Sequence, residues 1–336
     1  MAKEAVAKTS DVVFLSNDAT ELHNPGKADR IMKRRKIQAT SLFYAAFFAA
    51  LFLSSPPVYP ESLRNSKARI KSFVSILPQA YFVERVGGEQ VDVSVLVGPG
   101  HSPATYEPTP KQMAELGKAR LYFRIGVPFE NVWMARISRA NPNMKVIDTR
   151  RGIKLLPMKG YDHDQTEQRH HDSKVTKDPH IWLSLRLVKV QAQNICQALI
   201  SEDPAHRAYY ETNLRTFLHD LDKLDAEITE ILKGLKARKF MVFHPAWGYF
   251  AHDYGLKQIP IEVEGKDPSA RALAELIKYA KDEGIRVIFV QAQFSAKNAE
   301  AVARAIGGRI VRIDPLAKDY LYNIRKIAET FRRVIQ

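Results

Sequence analysis

Four places in this 336-residue chain put a metal-capable side chain in a loop. His101 lies in Gly98-Pro-Gly-His-Ser-Pro-Ala-Thr-Tyr-Glu-Pro-Thr-Pro110, and His180 in Asp178-Pro-His-Ile-Trp-Leu-Ser184. His244 lies in Phe243-His-Pro-Ala-Trp-Gly-Tyr-Phe250, and Asp314 in Arg312-Ile-Asp-Pro-Leu316. Three imidazoles and one carboxylate make a complete four-coordinate shell for zinc. Each site is weak alone. A histidine in a proline-flanked loop is more often a surface residue, and an Asp before Pro is usually a turn or helix cap. The separations are also too wide for a zinc motif defined by spacing.

Other histidines have blander readings. His163, His170 and His171 share the polar stretch 160–177 with Asp162, Asp164, Glu167 and Asp172. That stretch has almost no apolar residues and reads as a mobile loop. It either collects metal weakly as an auxiliary site or is a solvated insertion. His206 and His219 fall on a helical pattern and should face solvent. His252, eight residues after His244, should be exposed or sit behind the site.

These side chains need elements to position them. Strand patterns cover 69–76, 91–97, 121–125 and 146–148, with helical spacing at 79–86 and 111–116 between them. The same alternation returns later, with strands at 240–243, 258–262, 287–291 and 310–313. Helices follow at 272–282, 299–306 and 320–335. His101, His244 and Asp314 each follow a strand closely. In open α/β sheets, ligands bind beyond the carboxyl ends of the strands. Between the two series, 206–235 carries apolar residues at helical spacing and has no Pro or Gly before Gly234. The expected fold is therefore α/β with two lobes, each a mostly parallel sheet flanked by helices, joined by one long spine helix. The lobes span 69–205 and 236–336.

Composition narrows the function classes. Hydrophobic residues make up 45% and charged residues 26%, as in globular proteins. The formal net charge is +14. A basic chain raises nucleic acid or an anionic membrane as partner. No zinc-finger spacing, helix-turn-helix punctuation or aromatic–basic signature accompanies the charge, so nucleic-acid binding is not expected. The single cysteine, Cys196, excludes an internal disulfide and cysteine-based zinc sites. It lies on a helical apolar pattern and reads as a core residue. No His-Glu-x-x-His helix, nucleophile elbow or phosphate loop supports an enzyme such as a metal-dependent hydrolase.

The first part of the chain reads as targeting. Lys33-Arg34-Arg35-Lys36 precedes a mostly apolar run, 39–53, and then Pro56-Pro57. Residues 32–55 fit a secretory signal peptide, and the run is short for a membrane span. An uncleaved anchor is the alternative. Residues 1–31 read as a non-native upstream extension, with translation starting at Met32.

Four ordered motifs then carry a resemblance. They are Pro99-Gly…Tyr106-Glu-Pro-Thr-Pro110, Asp178-Pro-His-Ile-Trp-Leu183, His244-Pro-Ala-Trp-Gly-Tyr-Phe-Ala-His-Asp-Tyr-Gly-Leu256, and Ile313-Asp-Pro-Leu…Asp319-Tyr-Leu321. Over residues 69–336 the chain resembles the zinc/manganese-binding solute-binding proteins of bacterial ABC importers, in particular the zinc-uptake periplasmic group. The resemblance implies an exported, monomeric, periplasmic protein that captures a divalent metal and hands it to an ABC membrane permease. Manganese- or iron-binding and adhesin-like members are the alternatives. It implies metal ligation by His180, His244 and Asp314. His rather than Glu at 244 favours zinc over manganese, which prefers oxygen ligands. The family's first ligand falls at Ala104, so His101, three residues earlier, is expected to substitute. Glu107 matches a family position read as structural.

Overall fold

Two runs of alternating strands and helices give two separate sheets in the computed structural model, which describes residues 69–158, 176–262, 268–293 and 297–335. The extension (1–31), the signal or anchor (32–55) and the histidines of the polar loop lie outside the described residues. In the first sheet, β1 (Ile70–Ile76), β2 (Val91–Val97), β3 (Leu121–Arg124) and β4 (Lys145–Asp148) lie in the order β2-β1-β3-β4. In the second, β5 (Lys239–Val242), β6 (Lys257–Pro260), β7 (Val287–Val290) and β8 (Arg309–Arg312) lie in the order β6-β5-β7-β8. Every pairing is parallel. Parallel strands covered on both faces lose the polar alternation of a half-exposed strand. Accordingly β7, Val-Ile-Phe-Val, is buried at all its positions. In each sheet the connections reverse direction between the first and third strands in chain order. That is the switch point where such sheets open a crevice.

The helices start and stop on readable chemistry. α1 (Leu77–Gly87) follows β1 directly, with a proline in its first turn, and ends at Gly88. Gly88 takes φ 52°, a left-handed conformation that costs glycine little. α2 (Pro110–Leu116) begins with a reciprocal cap between Thr109 and Gln112. The capping residue is thus Thr109, while Glu107 stays exposed. α3 (Pro128–Ala140) is a helix that the apolar pattern does not announce. It buries only Phe129, Glu130 and Ile137, too sparse a stripe to read as periodic. α4 (Leu185–Glu202) carries Cys196, which is buried as expected.

α5 (Arg207–Lys233) is the spine. Its 27 residues span about 40 Å. It buries Tyr210, Phe217, Leu221, Leu224, Ile228 and Leu232, a stripe of three- and four-residue steps with one seven-residue gap. Arg85 of α1 pairs with its Asp220 at 2.6 Å. After β5 come α6 (Gly248–Asp253), α7 (Ala270–Asp282), α8 (Lys297–Ala305) and α9 (Tyr320–Val334). Arg325 of α9 pairs with Glu227 of the spine at 2.7 Å. One apolar core runs through both lobes, from Phe82 and Trp182 to Trp247 and Phe331. A smaller core, including Met241, Ile259 and Leu276, lies within the second lobe. Residues Lys67–Gln336 accordingly form one compact unit.

Phe331 closes the larger core over the second sheet. Its ring stacks on Phe289 at 4.4 Å and meets Phe240 at 4.7 Å. Phe331→Ala should therefore lose about 3–5 kcal/mol of stability. Denaturant unfolding should show a lower midpoint with an unchanged slope.

Candidate metal centre

His244 sits two residues past the end of β5, at the switch point of the second sheet. Its backbone is fixed from the neighbouring strand. Gln291, just past β7, accepts from His244 N at 3.4 Å and donates to His244 O at 2.8 Å. The imidazole Nδ1 lies 3.1 Å from both carboxylate oxygens of Glu262, which is buried at 4% exposure just past β6. Burial pulls the His244 pKa below its ordinary value of 6.5, against the opposing pull of Glu262. The ring is therefore neutral at physiological pH, with Nδ1–H donating to Glu262.

His180 comes from the segment of the first lobe between β4 and α4 rather than from a strand end. Its Nδ1 lies 2.7 Å from Asp178 Oδ1, and its backbone N–H donates to the same oxygen at 2.9 Å. A proton on Nδ1 again leaves Nε2 as an acceptor. The two Nε2 atoms, one from each lobe, stand 3.3 Å apart. With both Nδ1 protons committed to carboxylates, neither Nε2 has a proton to share. Two lone pairs converge on a common point. In a tetrahedral shell with Zn–N of about 2.0–2.1 Å, two ligand nitrogens would stand about 3.3–3.4 Å apart. Imidazoles whose other nitrogen is held by a carboxylate are the usual arrangement of metal-ligating histidines.

Asp314 follows β8 by two residues. Gln293 Nε2 donates to its Oδ1 at 3.1 Å, and Leu316 N to the same oxygen at 2.9 Å. The next residue, Pro315, accepts from Trp182 Nε1 at 2.8 Å, and Trp182 packs 5.1 Å from the His180 ring. Asp314 is thus tied to the His180 segment through its neighbour. His101 differs from the other three. It is exposed, on a turn closed by its N–H to Gly98 O at 3.3 Å, and its ring meets Tyr106 edge-on at 5.7 Å. Among the described residues, no three His, Cys, Asp or Glu side chains gather closely enough to hold a metal ion. The structure brings His180 and His244 together and leaves His101 apart.

The stem of the polar loop ends beside the pair. Pro157 and Lys177 form an antiparallel bridge, and Asp178 N donates to Leu156 O at 2.9 Å. Tyr249 spans this stem. Its hydroxyl accepts from Leu156 N at 3.0 Å and donates to Asp178 O at 2.9 Å. Burial pushes the Tyr249 pKa up to about 12, so the hydroxyl stays a donor. His252 is exposed and 3.5 Å from Asp253. His219 is exposed. His206, expected to face solvent, is only partly exposed, because Asp203 Oδ2 holds its Nδ1 at 2.5 Å.

Reading the sequence passed over Glu262, Gln291, Gln293 and Tyr249. A signal existed for two of them. Glu262 and Gln291 are each a polar residue immediately after an apolar strand run.

Comparison with known proteins fits this geometry. Residues 73–334 match the family described as "Zinc-uptake complex component A periplasmic". The chain is similar to the High-affinity zinc uptake system protein ZnuA of Bacillus subtilis (strain 168). They are 31% identical over 236 residues, covering 69% of this chain and 74% of that one. It is also similar to the Zinc-binding protein AdcA of Streptococcus pyogenes, 28% identical over 324 residues. That match covers 90% of this chain and 61% of AdcA, so the chain spans under two thirds of that relative. A solved structure described as "Crystal structure of ZnuA" superposes with a TM-score of 0.74 at 45% identity. It covers 80% of this chain and 100% of that one. Among the described residues, no helix is long and apolar enough to cross a membrane.

Two outcomes follow for the metal centre. Asp178→Asn and Glu262→Gln should each weaken zinc binding about 10–100-fold, since carboxylates behind metal-ligating histidines typically matter that much. Calorimetric titration checks this. In the folded state the His244 pKa is lowered, so its contribution to metal-free stability is full above about 6.5. That contribution is lost as pH falls through the lowered folded-state value. Proton competition for zinc at His244 should likewise begin only below about pH 6.5, read by zinc titration against a chelator across a pH series.

Proposed function

Because the chain belongs to the family of periplasmic zinc-uptake components, solute-binding transport proteins rather than enzymes, we propose that it captures zinc outside the cytoplasm and delivers it to an ABC membrane permease. The observation that carries this reading is the 3.3 Å separation of the His180 and His244 Nε2 atoms. Each imidazole is oriented by a buried carboxylate at its other nitrogen. No reaction is needed for this role. Selectivity comes from ligand type, and imidazole suits zinc better than manganese. The protein acts as a monomer in the periplasm, and zinc is its cargo.

In this reading His180 and His244 bind through Nε2 and Asp314 supplies the carboxylate. The two hydrogen bonds on Asp314 among the described residues both fall on Oδ1, which favours Oδ2 as the ligand atom. His101, which stands apart on the Gly98–Thr105 loop, swings in as the third imidazole when metal binds, in place of the residue the family carries at Ala104. It is exposed, and its ring has no hydrogen bond among the described residues, which makes it the weakest member of the set. His163, His170 and His171 serve as an auxiliary metal-collecting group on the loop whose stem ends at Asp178.

Calorimetry with zinc and manganese on metal-stripped protein tests the assignment. The expected result is tight one-to-one zinc binding, with manganese weaker. His180→Ala and His244→Ala should remove tight binding, Asp314→Ala should weaken it strongly, and His101→Ala should cost the least of the four. Absence of tight binding by either metal would defeat the proposed function.

A further inference from the structure

Every strand of the second sheet begins beside a cation. Lys257 opens β6 and Lys239 opens β5, paired in register. Arg286 immediately precedes β7, and Arg309 opens β8. Backbone hydrogen bonds make neighbours of them. Lys257 N donates to Arg238 O at 2.7 Å, and Arg309 N to Arg286 O at 2.9 Å. In strand order the row runs Lys257, Lys239, Arg286, Arg309. Adjacent strands lie about 4.7–4.9 Å apart, so the row spans about 15 Å. α7 and α8 return to the same edge, because Ile285 N reaches Ala280 O and Gly308 N reaches Ala303 O. They bring Lys281 and Arg304 with them.

Some of these cations have structural work. Lys239 pairs with Glu283 at 2.6 Å. The Arg238 guanidinium donates to the carbonyls of Leu232, Lys233 and Tyr254. Lys281 and Arg304 lie in the last turns of their helices, where cations complement the helix dipole. None of this accounts for Lys257, Arg286 and Arg309. All three are exposed, and among the described residues none has a carboxylate partner. Like charges on neighbouring strands repel, so folding alone gives no reason for them.

The surface around them offers charge and little else. The exposed large hydrophobics Val132, Val146, Tyr209 and Tyr322 all lie on other elements. Among the described residues this edge carries no exposed large apolar side chain to insert into a bilayer core, and its one neighbouring ring, Tyr279, is half-buried and sits beside Lys239 at 5.7 Å. A broad array of singly charged phosphodiesters matches such a row. We propose that this leading edge of the second sheet docks the protein onto an anionic phospholipid surface. The metal centre lies beyond the carboxyl ends of the same strands, so docking leaves it free. The contact is electrostatic and peripheral, with each cation near the surface contributing on the order of five-fold in binding.

The test is co-sedimentation of the full chain with phosphatidylglycerol vesicles and with phosphatidylcholine vesicles, at low and near-physiological salt. The difference between the two lipids is the readout, which subtracts any salt-insensitive binding by the apolar N-terminal run. Wild type should prefer phosphatidylglycerol, and the preference should shrink with salt. The neutralising triple Lys257→Gln, Arg286→Gln, Arg309→Gln should lower that preference about 100-fold, the product of three such contributions. The triple reversal Lys257→Glu, Arg286→Glu, Arg309→Glu should lower it further. A charge-matched control on other faces, Arg136→Glu, Arg215→Glu, Lys223→Glu, should change it little. Unchanged zinc titration shows that each variant is folded. The proposal is overturned if wild type shows no salt-dependent lipid preference, or if the control loses as much as the triple reversal. Tighter wild-type binding to double-stranded DNA than to phosphatidylglycerol would also overturn it, by making the edge a nucleic-acid surface.

Discussion

Two imidazoles from different lobes face each other with their Nε2 atoms 3.3 Å apart. With each Nδ1–H donated to a carboxylate, two lone pairs converge there. That contact persists because each ring is held from behind. Asp178 fixes His180, and Glu262 fixes His244. A divalent cation held there, as proposed, would relieve the convergence. The rest of the structure can be understood as what keeps these two rings in place.

Holding them requires buried carboxylates, which are costly unless hydrogen-bonded. Asp178 accepts from the His180 backbone as well as its ring. Glu262 receives the His244 ring on both oxygens. The backbone around each histidine is also immobilised. The amide of Gln291 clamps both backbone groups of His244, and Tyr249 ties Asp178 to the loop stem. Gly248 is needed beside Asp178, because a side chain there would meet Asp178 Oδ2 at 2.6 Å.

The two lobes are not independent plates. The Asp178–Ser184 segment is bonded into the second lobe at several points. Ser184 Oγ donates to Asp253 at 2.5 Å, Trp182 Nε1 to Pro315 O, and Tyr320 OH back to Trp182 O at 2.7 Å. Beneath it the spine helix carries apolar residues into a core shared by both sheets. Opening the lobes widely would break that core and these buried hydrogen bonds together. Small rearrangements of loops fit this construction better than a large hinge.

Much of this was legible in the sequence because it is periodic or local. The two βα series, the spine over 206–235 and its apolar stripe follow from spacing, and the sheet order agrees with the parallel α/β reading. Asp178 two residues before His180 was visible as a motif, although its role was not. What only the tertiary structure decided is pairing across distance. His244 meets Glu262 across 18 positions and His180 across 64, and no local pattern encodes those contacts. α3 escaped notice because so little of it is buried. The His101 loop shows the limit from the other side. Its Gly/Pro-rich composition marks a turn, but where the imidazole points depends on what packs against it, and here that is Tyr106 at the surface. Residue types and periods are set by each segment's own chemistry, whereas a metal centre is set by which segments the core brings face to face.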